Sequence, residues 1–253
     1  MVLNQDAAPE WLNRQHVRIA FEASPGSYAA RNCGIRIAAG EIVAFTDADC
    51  IPDENWLRAG VDELLAHPDC AFVAGDINIK YRTAHSPTPA ERYDRLFNLR
   101  QKEYVESHGF GATANLFAFK RTFQSVGLFN SCLFSSGDLE WCRRATTNGL
   151  RGYFSAKAVV DHPARRSFGE LFRKELRIAG GMSMRMKLSD PTQESIQNLL
   201  DNELFICRAR LRETLAAKLG SCTAILCCFA VFALLFRFVE RIRVGNGGTP
   251  RRL

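Results

Sequence analysis

The chain has no Cys-x-x-Cys pair among its nine cysteines. Without that spacing no zinc site is expected, and an odd, scattered set reads as reduced, small apolar residues in a cytosolic setting. The start, Met1-Val2-Leu3-Asn4-Gln5-Asp6, has no basic stretch leading into an apolar one, so no secretory signal is expected. Internal repeats and low-complexity tracts are missing too. One stretch lacks charge altogether: Leu219–Phe236, 18 residues, at the lower edge of the length that crosses a bilayer. Basic residues flank it on both sides (Arg208, Arg210, Arg212 and Lys218 before it, Arg237, Arg241 and Arg243 after), so positive charge gives it no orientation. The competing reading is a buried or interfacial helix.

What is present is globular. The chain has 253 residues, 47% hydrophobic and 24% charged, which suits one sizeable domain plus an appendage. The charge is uneven. Residues 163–253 hold 16 Lys and Arg against 8 Asp and Glu, whereas residues 1–162 hold 17 against 19. The basic excess of the C-terminal third suits a phosphate-rich partner or a membrane surface. No nucleic-acid partner is expected.

Periodicity sets out the elements. Val17–Phe21 alternates as a short strand. After Pro25-Gly26-Ser27, residues 28–39 have helical spacing, closed by Gly40. Glu41–Phe45 is an apolar strand, Pro52-Asp53-Glu54-Asn55 begins a helix with Trp56, Leu57, Val61, Leu64 and Leu65 in phase, and Cys70–Gly75 is a further strand. This alternation predicts an α/β domain with a mainly parallel, Rossmann-like sheet. A helix is expected from Ala90 to about Glu106, a strand at Leu116–Phe119, short helices at Phe123–Leu128 and from Asp138 to Asn148, and a last strand over Tyr153–Asp161. Beyond it, Ser167–Lys187 is basic and partly amphipathic, and Gln193–Lys218 is polar and helical. The organisation expected is a catalytic α/β unit over 1–165, a helical region over 166–218, the apolar helix 219–236 and a basic tail 237–253.

The chemistry gathers at Phe45-Thr46-Asp47-Ala48-Asp49-Cys50. On an extended segment residues i and i+2 point to one side, so Asp47 and Asp49 are expected to converge. Two converging carboxylates repel unless a cation lies between them. Their hard oxygens suit Mg²⁺ or Mn²⁺ bridging to phosphates. Ala30-Arg31-Asn32 can offer a guanidinium to an anion. Gly137-Asp138-Leu139-Glu140 places two carboxylates at a helix start, where one can act as a general base. Val160-Asp161-His162-Pro163-Ala164-Arg165 adds a metal-binding imidazole and a phosphate clamp.

Taken together, "GIRIAAGEIVAFTDADCIPDENWL", "GATANLFAFKR", "GDLEWCRRA" and "VVDHPARRS" resemble the family-2 inverting glycosyltransferases of the type-A fold, over about residues 17 to 180. The resemblance implies a metal-dependent, hexosyl-type transferase that moves a sugar from a nucleotide-sugar donor to an acceptor hydroxyl with inversion. It implies Asp49 as direct metal ligand, Asp47 at the ribose or the metal's water shell, and His162 near the metal, with Mn²⁺ or Mg²⁺ as cofactor. Arg31 and Asn32 would line the nucleotide pocket, and Arg165 the diphosphate. Asp138 would be the base with Glu140 close by, and Gly111, Thr113 and Asn115 would form the acceptor side. The acceptor, lipid-linked or polysaccharide, is not named by these residues. The location implied is membrane-associated with a cytoplasmic catalytic unit.

The family opens with two further strands, one ending in paired aspartates that bind the base. Val17–Phe21 resembles the family's third strand, so an N-terminally truncated form is expected, with an exposed edge beside the metal strand. A catalytically inactive, membrane-bound module is the second reading. A haloacid-dehalogenase-type phosphotransferase also uses Asp-x-Asp after a strand. It wants Thr or Val two residues later, where this chain has Ile51.

Overall fold

The computed structural model describes residues 17–189, 196–217, 219 and 222–251. Met1–Asp6 and the expected boundaries near 190–195 and at 218 lie outside the described residues. The elements run α1 (Ser27–Ile37), β1 (Ile42–Thr46), β2 (Ile51–Pro52), α2 (Trp56–Ala66), β3 (Cys70–Lys80), α3 (Pro89–Phe97), α4 (Gln101–His108), β4 (Asn115–Phe119), α5 (Lys120–Val126), α6 (Gly137–Thr147), β5 (Arg151–Pro163), α7 (Phe168–Ser189), α8 (Ile196–Ala216) and α9 (Cys222–Gly245).

Local sequence accounts for most of these boundaries. α3 starts with a capping box: the Thr88 hydroxyl accepts from the Glu91 N–H, the Glu91 carboxylate accepts from the Thr88 N–H, and Pro89 fills the first turn. The helix expected through Glu106 breaks at Asn98–Arg100, where Leu99 takes φ 55°. Val17–Phe21 holds only a bridge residue at Ala20, and Val17, Ile19 and Phe21 are exposed. An alternating pattern with no face to bury against does not build a strand.

The five-stranded sheet has the order β1-β4-β3-β5-β2. It is mixed rather than mainly parallel. Only β3 and β5 run parallel, while β1–β4, β3–β4 and β2–β5 are antiparallel. Strand–helix alternation predicts parallel neighbours only when each crossover returns to the adjacent position. Here β4 enters between β1 and β3 in the opposite direction. β1, which leads to the acidic pair, is an end strand of the described sheet.

β3 is buried at six consecutive positions, Cys70–Gly75, as a strand covered on both faces must be. Alternate side chains feed two cores. Phe72 and Leu116 join Tyr28, Phe45, Phe123, Phe129 and Trp141 on one face, while Val73 and Phe117 join Trp56, Leu64 and Val160 on the other. Fully buried Trp141 stacks on Phe123 at 4.5 Å and donates its indole N–H to the Gly127 carbonyl. Burying one such ring stabilises the fold by about 3 kcal/mol.

The C-terminal helices α7, α8 and α9 pack on one another and on α3. α9 is long and apolar enough to cross a membrane, yet it continues past the expected Phe236 to Gly245. On its inner face Arg237 pairs with Glu175 of α7 at 2.8 Å and Glu203 of α8 at 2.6 Å. Its outer face exposes Ile225, Val231, Phe232, Leu235, Phe236 and Val239.

Candidate active site

β1 delivers the acidic pair, but the chain turns immediately after it. The Cys50 N–H bonds the Asp47 carbonyl at 3.1 Å, closing a four-residue turn. The alternation of an extended strand stops at Thr46, so Asp47 and Asp49 go to different partners. Asp47 accepts from Arg31 of α1 at 2.7 Å. Asp49, more exposed, faces the His162 imidazole, with Oδ2 3.8 Å from Nε2. The expected single focus for both carboxylates is therefore replaced by two adjacent points.

His162 sits near the end of β5 and is nearly buried. Its Nδ1 lies 2.8 Å from the Pro163 carbonyl. A carbonyl only accepts, so the ring donates from Nδ1 and turns Nε2 toward Asp49. Ligand atoms of Asp49, Cys50 and His162 lie within 4.8 Å of one another. Carboxylate oxygen and imidazole nitrogen fit a borderline divalent cation held between them. Burial pushes the Cys50 thiol up, and its contact is to the Ala114 carbonyl.

Asp138 enters from the other side, in the first turn of α6. Its Oδ1 accepts from the Tyr28 phenol at 3.1 Å and from the Leu139 N–H at 2.9 Å, and its Oδ2 accepts from the Thr113 N–H at 3.4 Å. Gly137 makes this approach possible, because a Cβ there would stand 2.6 Å from the Tyr28 ring. Burial first, then the Asp138 charge, pushes the Tyr28 phenol upward, so it stays a donor. Tyr28 was not among the expected site residues. Its signal, an aromatic at the first turn of α1, becomes readable only once α1 and α6 are seen together.

One cleft of about 580 Å³ collects Arg31, Asp47, Thr113, Asp138, His162 and Arg165. Arg165 reaches it beside buried Asp94, to which it donates both a guanidinium bond at 3.3 Å and its backbone N–H at 2.9 Å. The described non-glycine residues with positive φ, Leu99 and Ser136, both line this cleft. Strained backbone often collects at working sites.

Four expected residues serve the frame instead. Asn32 is buried and exchanges two bonds with the backbone of Phe129, at 2.8 and 3.0 Å. Asn115 accepts from the Trp56 indole and donates to the Asp76 and Ala158 carbonyls. Gly111 is packed so tightly that a Cβ would lie 2.7 Å from that of Ala74. Glu140 turns away from Asp138 and pairs with Arg144 at 2.5 Å, and Arg144 in turn binds the Val126 and Leu128 carbonyls. Residues i and i+2 of a helix do not share a face, so the two carboxylates cannot act as neighbours. Gln101, also unexpected, clamps the loop under the cleft through the Ala112 N–H and the Ala112 and Asn115 carbonyls.

Residues 4–126 match the family model described as Glycosyl transferase family 2. Glycosyltransferase AglE of Haloferax volcanii is 39% identical over 156 residues, 62% of this chain and 50% of that protein. Pre-mycofactocin glycosyltransferase of Mycobacterium tuberculosis is 30% identical over 152 residues, 56% of this chain and 31% of that protein. The chain thus spans half or less of the length of these two relatives. Among solved structures, the mannosyltransferase PcManGT from Pyrobaculum calidifontis, in complex with GDP-Man and Mn²⁺, superposes with a TM-score of 0.57 at 16% identity, over 89% of this chain and 69% of that one. At that identity the likeness is one of fold.

Proposed function

We propose that the chain is a family-2 glycosyltransferase and that it moves a hexosyl-type sugar from a nucleotide-sugar donor to an acceptor hydroxyl, with inversion and with a divalent cation. The supporting observation is Asp138, oriented by Tyr28 and the Thr113 N–H in the cleft that also holds Asp47, Arg31 and His162. The acceptor O–H points at Asp138, which takes the proton as the oxygen bonds to C1 of the sugar. The bond from C1 to the diphosphate breaks on the opposite face, and its electron pair leaves with the nucleoside diphosphate. C1 is thereby inverted.

Asp49 and His162 are the residues that would hold the cation, and their mixed oxygen and nitrogen donors suit Mn²⁺ better than Mg²⁺. When bound, the cation neutralises charge developing on the diphosphate. Arg31 and Arg165 add fixed positive charge to the same cleft. Sugar release from a panel of nucleotide sugars, with Mn²⁺ and with a chelator, tests this reading. No metal-dependent turnover on any donor would count against it.

A non-catalytic binding module is the second reading, favoured by the closed Arg31–Asp47 pair at 2.7 Å and by β1 standing at the end of the described sheet. Calorimetric titration with UDP or GDP and Mn²⁺ separates the two, since metal-dependent binding belongs to the transferase and silence to the module.

We place the protein at a membrane surface, with residues 1–165 as the catalytic unit on the cytoplasmic side and 166–253 as the attachment. The exposed apolar stripe of α9 supports attachment. The Arg237 pairs to Glu175 and Glu203 support a helix lying along the interface rather than crossing alone, since their charges would otherwise enter lipid unpaired. Nine free cysteines, Cys132 and Cys228 exposed among them, support a reducing compartment.

A further inference from the structure

A second cavity, of about 890 Å³, lies behind α4. α4 turns Tyr104 and His108 to the cleft, and Lys102, Glu103 and Glu106 to this groove. Asn98 and Leu99 line both, so the two spaces meet at the break between α3 and α4. The floor is the second half of β3. Up to Gly75 that strand is buried throughout, and then its burial alternates. Ile77 and Ile79 enter the core, while Asp76, Asn78 and Lys80 stand on the groove side. An acid, an amide and an ammonium thus follow one another at every second residue along an open strand face.

The charges of the groove cancel. Arg100 pairs with Glu103 at 2.5 Å, Lys102 stands 4.0 Å from Glu106, and Lys80 pairs with Asp161 at 3.4 Å. That leaves one acid and one base. Asp76 accepts from the adjacent Ile77 N–H at 3.0 Å, and no described cation pairs with it. Arg95 is exposed, its guanidinium lies 5.1 Å from the centre of the Tyr81 ring, and no described carboxylate pairs with it. A groove with no net field does not concentrate phosphates or nucleic acid. Its donors and acceptors instead suit a ligand that carries both on every unit and bears no charge. A sugar ring does so. Each hydroxyl donates and accepts, and the C–H face lies against planar groups such as a guanidinium held over an aromatic ring.

We propose that this groove binds a neutral oligosaccharide, the sugar chain of the acceptor. Asp76, Asn78 and Lys80 bond its hydroxyls, and Arg95 over Tyr81 carries one ring. The inference rests on the transferase reading of the cleft and names its acceptor class. The terminal unit passes Asn98 and Leu99 to bring its hydroxyl to Asp138, while the units behind it stay in the groove. The groove acts by binding acceptor alone, apart from the Asp49–His162 pair and from the donor.

Titration of the full chain with cellotetraose, maltotetraose, chitotetraose and mannotetraose, followed by saturation-transfer NMR without nucleotide or metal, tests the groove. At least one is expected to bind, about tenfold or more tighter than its monosaccharide, because each further unit adds hydrogen bonds. Arg95→Ala should weaken that binding about tenfold, the loss expected for a charge-assisted contact, and Asn78→Ala about fivefold. Both side chains are exposed, so neither change threatens the fold. No binding by any of the four would overturn the proposal. Equal binding by the unaltered chain and both variants would overturn it too, as would equal affinity for tetrasaccharide and monosaccharide. Tighter binding of tetragalacturonate would overturn the neutral class. Mn²⁺-dependent binding of UDP or GDP by the unaltered chain tests the transferase reading separately, so either can fail alone.

Discussion

The Tyr28 phenol donates to Asp138 Oδ1 at 3.1 Å, across 110 residues of sequence. It joins the first turn of α1 to the first turn of α6. Tyr28 is 5% exposed and packs at 5.6 Å against Phe129, so the donor is held rigidly. Tyr28 is a positioning residue for the proposed base. Tyr28→Phe keeps the ring and removes one hydrogen bond to a charged group. We expect kcat to fall about tenfold or more with KM little changed, because the contact orients the base and not the donor. Steady-state kinetics check this split. A change confined to KM would contradict it.

The two aspartates after β1 should behave differently. Asp49 faces His162, whereas Asp47 is already paired with Arg31. Asp49→Asn and His162→Gln should each raise the Mn²⁺ concentration needed for nucleotide binding by about tenfold to a hundredfold. Asp47→Asn should shift that requirement less and weaken the nucleotide itself, by releasing Arg31. Mn²⁺ titrations at fixed UDP or GDP distinguish these patterns.

Glu140 tests the choice of base. Its carboxylate binds Arg144, which holds the turn at Val126–Leu128. Glu140→Gln should keep most of the turnover and cost about 1 kcal/mol of stability, the usual worth of a partly exposed pair. Loss of turnover in a folded variant would move the base from Asp138 to Glu140.

Lys174 gives a pH signature. Its folded value is about 7, against about 10.4 for an exposed lysine. Between these values the unfolded chain binds a proton that the folded chain does not, so stability rises with pH from about 7 to 10. Asp94, Arg165, Glu175 and Arg177 are the charged groups acting on it. Melting curves over that range should show the rise in the unaltered chain and a flatter profile in Lys174→Met. The opposite slope would contradict the burial of the ammonium.

Much of this architecture is legible in the residues. Helical and alternating spacing places α1, β1, α2, β4, α6 and β5 within a few residues of where they lie. Asp47, Thr113, Asp138, His162 and Arg165 do meet in one cleft. What spacing cannot reach is direction and distance. The antiparallel entry of β4 depends on where its partners stand, and Tyr28–Asp138 is a contact between elements far apart in the chain. Other signals were present locally. Glu140 and Arg144 stand at i and i+4, the spacing of a helical ion pair, which separates Glu140 from Asp138. The charges at Arg237, Glu240 and Arg241, one face of a helix continuing past Phe236, likewise foretell an α9 that turns one side toward protein.

Asp138 is the group proposed to take the acceptor's proton. The most direct measurement is sugar transfer or release from a nucleotide sugar with Mn²⁺, compared between the unaltered chain and Asp138→Asn. Asparagine keeps the shape and, with its one oxygen toward Tyr28, still accepts from that phenol, but it sets an NH2 donor against the Thr113 N–H and cannot take a proton. A fall of about a hundredfold to ten-thousandfold, with nucleotide binding and melting unchanged, is the result predicted. Full turnover in Asp138→Asn would contradict it.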